Sequence, residues 1–201
     1  VNFLAGEDNS QFSQRQRWSM YLTLSVSLLA FLLGLIFRNS LLYATTTYIN
    51  REVGLEANYP ENWLIDSDGE YVFRVRDVSR LGFKTTIQVA IHPVSSRSGA
   101  VARSVFDALT LARSQVLGRY DVQSTGQMTL PGGIQAITMS YSYVATDSDT
   151  FLVGVPVVVQ GIDVLVIRRD QAIVITFLSD VFSYGQDFSL FERFLQDLRF
   201  S

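Results

Sequence analysis

The chain has no cysteine and only one histidine, His92. Without cysteine there can be no disulfide, thiolate metal site or cysteine nucleophile, and the redox compartment is left open. One histidine cannot build a His-rich metal centre, and no serine motif stands beside it to complete a catalytic triad. Its place before Pro93, at the end of an apolar stretch, reads as structural. Gly-x-Ser-x-Gly, P-loop, His-Glu-x-x-His and dinucleotide fingerprints are also missing. The expectation is therefore a protein that is not an enzyme and carries no metal or cofactor. A hydrolase with an unrecognised site would instead require a cleft in which His92 meets at least two carboxylates.

Lysine is nearly absent: of the 16 basic residues, Lys84 is the one that is not arginine. The net charge is -3, and beyond the N-terminal tail no basic run exceeds the pair Arg168-Arg169. Nucleic-acid binding needs a basic stripe to neutralise phosphates, so nucleic acid is not expected as a partner. The acidic segment Asp66-Ser67-Asp68-Gly69-Glu70 resembles part of a calcium loop, but it lacks the other ligands, above all the bidentate glutamate at the twelfth position. It reads as a hairpin turn, with Asp68-Gly69 as the turn signal. The loop Asp147-Ser148-Asp149 could add carboxylates only if the fold brought it near Asp66 or Asp121.

What is present begins with Trp18 to Phe37, a run with no charged residue and no proline. Roughly 20 helical residues span a hydrocarbon core of about 30 Å, so this run is expected to be a transmembrane helix. A secretory signal peptide is the competing reading, but its apolar region is usually about 7–15 residues. The polar tail 1–17 precedes the span. Arg15 and Arg17 flank it on one side and Arg38 and Arg51 on the other, so the positive-inside rule is nearly balanced. The short tail is assigned to the cytoplasm, and the bulky C-terminal domain to the periplasmic, luminal or extracellular side. Ser19, Thr23 and Ser27 fall at helical spacing and are continued by Ala30 and Gly34. Small residues in such a row let a second helix approach closely. Ser27, Ala30 and Gly34 are therefore candidates for helix packing, with chance composition as the plain alternative.

Residues 38–54 read as a juxtamembrane connector, and residues 55–201 as a single α+β domain. Period-two patterns predict about seven strands. Among them are Leu55 to Tyr59, Trp63 to Asp66, Tyr71 to Val78, Lys84 to Val94, Val122 to Leu130 and Ile134 to Thr146. Phe151 to Gln160 and Ile162 to Ile167 follow, then Gln171 to Leu178 across the turn Arg168-Arg169-Asp170. This succession suits an antiparallel meander. Two segments change to helical period. In Ala100 to Leu117, the residues Val101, Val105, Leu109, Ala112 and Val116 share a spacing of three and four. In Leu190 to Leu198 the stripe is Leu190, Phe191, Phe194, Leu195 and Leu198, and Ser189 to Glu192 form a capping box. Helices packed on an antiparallel sheet make an α+β domain.

Two features resemble the PsbP-like family. The domain opens on Tyr59-Pro60-Glu61-Asn62-Trp63, similar to the family's tyrosine-proline-x-x-tryptophan start, and closes on a helix followed by Leu198-Arg199-Phe200-Ser201. The order of elements between them also matches, over roughly Leu55 to Phe200. The resemblance implies an α/β/α sandwich with a central antiparallel sheet and a mainly non-enzymatic role. Family members include the extrinsic luminal protein of photosystem II, thylakoid assembly proteins, exported lipoproteins and a nuclear transport factor. A retained transmembrane helix sets this chain apart, and it shows no match to a family metal site or lysine-rich docking surface.

Residues and resemblance together lead to the expectation of a membrane-anchored accessory subunit or assembly factor. Its partners would be the bilayer and the subunits of an integral membrane complex, with photosynthetic or respiratory electron transfer in first place. The alternative is a tethered protein that binds a small ligand or lipid. Trp63, Arg168 and Arg169 are candidate partner contacts. Core anchoring competes for Trp63, and a solvated turn with Asp170 competes for the two arginines.

Overall fold

In the computed structural model, the described residues are 14–42, 44–51, 54–66, 69, 71–80, 82–94, 99–146, 148–149, 152–153, 155–168 and 170–200. Tyr43, Asp68, Glu70, Ser98, Asp147 and Arg169 lie outside them. The chain divides into two units, Val1–Ala44 and Thr45–Ser201.

The first unit contains helix α1 (Gln14–Leu42), 29 residues long. It extends past the expected span at both ends. Within it, Arg17–Arg38 has a mean hydropathy of 2.3 and buries none of its surface inside the chain. By length and composition this stretch is able to cross a membrane.

The second unit is built on a seven-stranded antiparallel sheet of β3 (Leu64–Asp66), β4 (Phe73–Arg76), β5 (Thr86–Pro93), β6 (Gly118–Leu130), β7 (Ile134–Ala145), β10 (Val157–Arg168) and β11 (Gln171–Asp180). Its spatial order is β3-β4-β5-β11-β10-β7-β6. Between β7 and β10 lies a two-stranded ladder of β8 (Ser148–Asp149) and β9 (Leu152–Val153). A second sheet has three strands in the order β1-β2-β12: β1 (Thr45–Asn50), β2 (Leu55–Pro60) and β12 (Arg199–Phe200).

The sheet differs from a continuous meander at one step. After β5 the chain runs through helix α2 (Gly99–Val116) to the far edge, and returns through β6, β7, β10 and β11 until β11 pairs with β5. The crossover carries α2 across one face. The β6–β7 turn is made by Pro131, Gly132 and Gly133, with φ of 82° and 75° at the two glycines, a region that a side chain would strain.

Each face of the large sheet closes its own core. One core joins Val75, Ile87, Val89, Val164, Val166, Ile173, Ile175 and Phe177 to β2 and to helix α3 (Tyr184–Asp197). The other packs Ala102 and Phe106 of α2 against Met139, Tyr141, Tyr143, Val159, Leu165, Ala172 and Val174. Neighbouring residues of β11 alternate between the two, Ile173 to one and Val174 to the other, as strand geometry requires. The result is a sheet sandwiched between α2 on one side and α3 with the small sheet on the other.

Three expected boundaries and one buried stripe shift, each for a packing reason. Thr45–Asn50, assigned to the connector 38–54, is a strand that pairs with Leu55–Pro60. Its threonines and Tyr48 suit a strand once a partner is available, and Tyr48 donates to the Val72 carbonyl at 2.9 Å. Strand β10 runs through Gly161, which had divided two predicted strands. A Cβ at this position would lie 2.6 Å from the Tyr141 ring, so the glycine gives room to that ring and does not break the strand.

Helix α3 starts at Tyr184, six residues before the expected start at Leu190. Ser183 at its start makes no side-chain cap, and Ser189 donates to the Gln186 carbonyl. Tyr184 and Phe188 pack against Phe177, and their burial recruits the extra turns. In α2 the buried stripe is rotated from the one expected. Ala102 and Phe106 are buried, Ala112 is exposed and Val116 is 81% exposed, because Arg113 must face the sheet.

Candidate functional site

The α2 face of the sheet carries a buried charge pair and a row of polar side chains. Strand register sets two neighbouring rows across it. Arg74 on β4 opposes Gln88 on β5, Gln88 opposes Thr176 on β11, and Thr176 opposes Asp163 on β10. In the next row Arg76 opposes Thr86, Thr86 opposes Leu178, and Leu178 opposes Gly161. Helix α2 covers the β10 end of these rows and leaves the β4 end open.

Beneath α2, Asp163 is fully buried and Arg113 meets it with both terminal nitrogens. Thr176 donates to Asp163 Oδ1 at 2.7 Å, Tyr141 donates to the same oxygen at 3.4 Å, and the Arg113 guanidinium lies 4.5 Å from the centre of the Tyr141 ring. Burial works against the charge on Arg113, but the adjacent Asp163 carboxylate outweighs it and strengthens the arginine's hold on its proton. Burial, reinforced by Asp163, pushes the Tyr141 phenol well above its usual range.

Burial raises Tyr143 to about 12, against the opposing pull of Arg113, and on the other face it also raises Tyr184 to about 12. A tyrosine of the unfolded chain ionises near pH 10. Above that the folded state holds more protons than the unfolded one, so this contribution to stability is complete below about pH 10 and is lost as the pH climbs to about 12. Thermal melts followed by circular dichroism should show the midpoint falling across this window, and less steeply in Tyr143→Phe.

Past the C-terminal end of α2 the sheet is uncovered, and a cleft of about 410 Å³ opens there. Arg74, Arg76, Lys84, Thr86 and Gln88 line it together with the mainly apolar Phe83, Val116, Leu117, Tyr143 and Leu178. Asp66 Oδ2 bonds to both arginines, to Arg76 at 3.3 Å, and Arg74 stacks 4.2 Å over the Tyr71 ring. Lys84 donates to the Arg80 carbonyl at 2.6 Å. The β4–β5 loop that carries Lys84 is tied to α3: Arg80 forks onto Asp187 at 2.9 and 2.6 Å, and the buried Asp187 also accepts from Thr85 and Ser179 at 2.8 and 2.6 Å.

The residues singled out in the sequence do not converge on this cleft. Ser27, Ala30 and Gly34 lie on α1, and their side chains touch nothing that buries them. Trp63 is 6% exposed and packs in the core with β2 and α3, so it is not available as a surface contact. Its amide bonds to the Pro60 carbonyl at 3.0 Å, which closes the turn of the opening motif. Arg168 ends β10 half-buried, 5.9 Å from the Phe200 ring. His92 is half-buried on β5, in register with Ala172. Among the described residues no group of three or more histidines or carboxylates could hold a metal. The sequence did carry a signal for the buried pair, because a carboxylate inside Gly161-Ile162-Asp163-Val164-Leu165 requires a counter-charge.

No protein-family model matches the sequence, and no curated protein does. Solved structures do. Cyanobacterial PsbP (CyanoP) from Synechocystis aligns with a TM-score of 0.58 at 15% identity, over 79% of this chain and 93% of its own. The domain has the PsbP-like fold. The Ran-binding protein Mog1p of Saccharomyces cerevisiae aligns over 78% of this chain and 95% of its own, with a TM-score of 0.49 at 10% identity. In the PsbP-like domain here, the tyrosine-proline-x-x-tryptophan turn leads out of β2, and Arg199–Phe200 returns to pair with Glu56 and Leu55 of that strand. The opening and closing motifs thus meet in one small sheet.

Proposed function

We propose that this chain is a non-catalytic, membrane-anchored accessory subunit or assembly factor, which presents a PsbP-like domain to a larger membrane complex. The observation that carries the proposal is the helix Arg17–Arg38, an apolar surface wholly uncovered within the chain and joined to a domain of this fold. Leaving so much apolar surface in water is costly at about 25 cal/mol per Å², and a bilayer or a partner helix removes that cost. In this proposal residues 1–17 lie on the cytoplasmic side and the domain stands on the opposite side. An anchor raises the domain's effective concentration at the membrane surface, so weak polar contacts suffice for docking. The PsbP-like fold directs the search first to photosynthetic or respiratory electron-transfer complexes.

The face formed by Ser27, Ala30 and Gly34 makes the helix contact in this proposal. A Cβ placed on Gly34 meets nothing within 4 Å, so a larger residue there leaves the chain's own packing undisturbed. Purification in mild detergent through a C-terminal tag should recover integral membrane subunits in fixed ratio, and Gly34→Leu should reduce that recovery about tenfold, because close helix approach depends on small residues. A tagged chain that elutes alone would overturn the proposal. Recovery unchanged by Gly34→Leu would remove this helix face from it.

A further inference from the structure

The open cleft at the β4 end of the sheet is not used by the tethering role. The geometry points to a binding site there for a small organic anion: a molecule with a carboxylate or phosphate head and a compact apolar body. Three cations face the cleft, Arg74, Arg76 and Lys84, against one carboxylate among the described residues bonded to them, Asp66. That carboxylate engages both arginines through the single oxygen Oδ2, and the Nε of each arginine is buried without a hydrogen-bond partner among the described residues. Asp66 engages a single terminal nitrogen, Nη2, of each guanidinium, and the donors left over on such a group suit a planar oxyanion.

The site is also pre-organised. Arg74 is fixed between Asp66 and the face of Tyr71, and Lys84 is held through Arg80 by the buried Asp187. Little side-chain freedom remains to be lost on binding. Gln88 stands beside Arg74 in register and supplies a neutral hydrogen-bonding group, while the Thr86 hydroxyl donates to the Lys84 carbonyl at 2.7 Å. The apolar part of the lining, Phe83, Val116, Leu117, Tyr143 and Leu178, has no charge and suits a ring or a branched chain. At about 410 Å³ the space falls within the range of small-molecule sites, roughly 300–1,000 Å³. The C-terminal end of α2, which lines the cleft through Val116 and Leu117, presents carbonyls, which disfavours a second negative group there and orients the ligand with its head toward β4.

Isothermal titration of the full chain, held in nanodiscs of zwitterionic lipid, tests this with phenyl phosphate as probe and benzoate alongside it as the carboxylate version. Saturable binding of either probe is expected, at least tenfold tighter than inorganic phosphate and than benzyl alcohol, which keep only the head or only the body. Arg76→Met should weaken binding at least tenfold. Val116→Asp should do the same from the apolar side, and because Val116 is 81% exposed that variant keeps its fold even if the arginine variant does not. Inorganic phosphate binding as well as phenyl phosphate, affinity indifferent to Val116→Asp, or no heat from either probe at millimolar concentration would overturn the assignment. The titration and the co-purification are independent, so either can fail without the other.

Discussion

Replacing Asp163 with alanine is expected to destabilise the domain by about 3–5 kcal/mol, since removing one partner leaves the other charge buried and unpaired. Arg113 has only 16% of its side chain exposed, and Asp163 is its counter-charge. The loss would also strip Thr176 and Tyr141 of the oxygen to which both donate. For a domain of this size it corresponds to a fall in melting temperature of roughly 10 °C. The pair itself need not be stabilising relative to an apolar alternative. The double replacement Arg113→Met with Asp163→Leu should recover most of the loss, because no buried charge is left over. Thermal melts of the two variants beside the parent chain decide the matter. A single variant that melts within a degree or two of the parent would mean that water reaches Arg113 and that the network carries little.

The second large effect is expected at Phe191. This residue is fully buried, and its ring stacks on Phe177 at 5.0 Å and on Phe194 at 6.4 Å, with Phe188 tilted against it at 6.0 Å. It is the centre of the aromatic column that fastens α3 to the sheet. Phe191→Ala should cost about 3–5 kcal/mol, the transfer energy of the ring plus the cavity left behind. Phe191→Leu, which fills more of that space, should cost clearly less. Urea denaturation of the full chain measures both. If the two variants proved equally stable, the surrounding rings would be closing the gap, and the column would be softer than its geometry indicates. Because α3 also carries Asp187, the anchor of the Arg80 loop, Phe191→Ala should loosen the cleft-lining segment around Lys84 as well.

The aromatic stripe of α3 was readable in the sequence, because Phe191, Phe194 and Leu195 recur at helical spacing. Its true start was not, since Tyr184 and Phe188 are drawn into the helix by packing on the Phe177 ring of β11, which only the folded sheet presents to them. The same distinction separates the candidate residues. Trp63 could be read as a contact or as an anchor, and burial in the core decided for the anchor. The cleft was not legible at all. Arg74, Arg76, Lys84 and Val116 are scattered along the chain, and only strand register and the place where α2 ends bring them to one opening.

What the sequence determined by itself is what local pattern and composition control. The uncharged run from Trp18 to Phe37 is helical and long enough for a bilayer, the domain behind it is α+β with apolar faces, and its two end motifs resemble those of the PsbP-like fold. The tertiary structure alone decided that Thr45–Asn50 belongs to the domain, that β11 returns to β5, that α2 turns Arg113 inward toward Asp163, and that a basic cleft lies open beside it. Hydrophobic period is a property of neighbouring residues and can be read along the chain. Register, helix rotation and the pairing of buried charges depend on which distant segments meet, and that is settled only when the whole core packs.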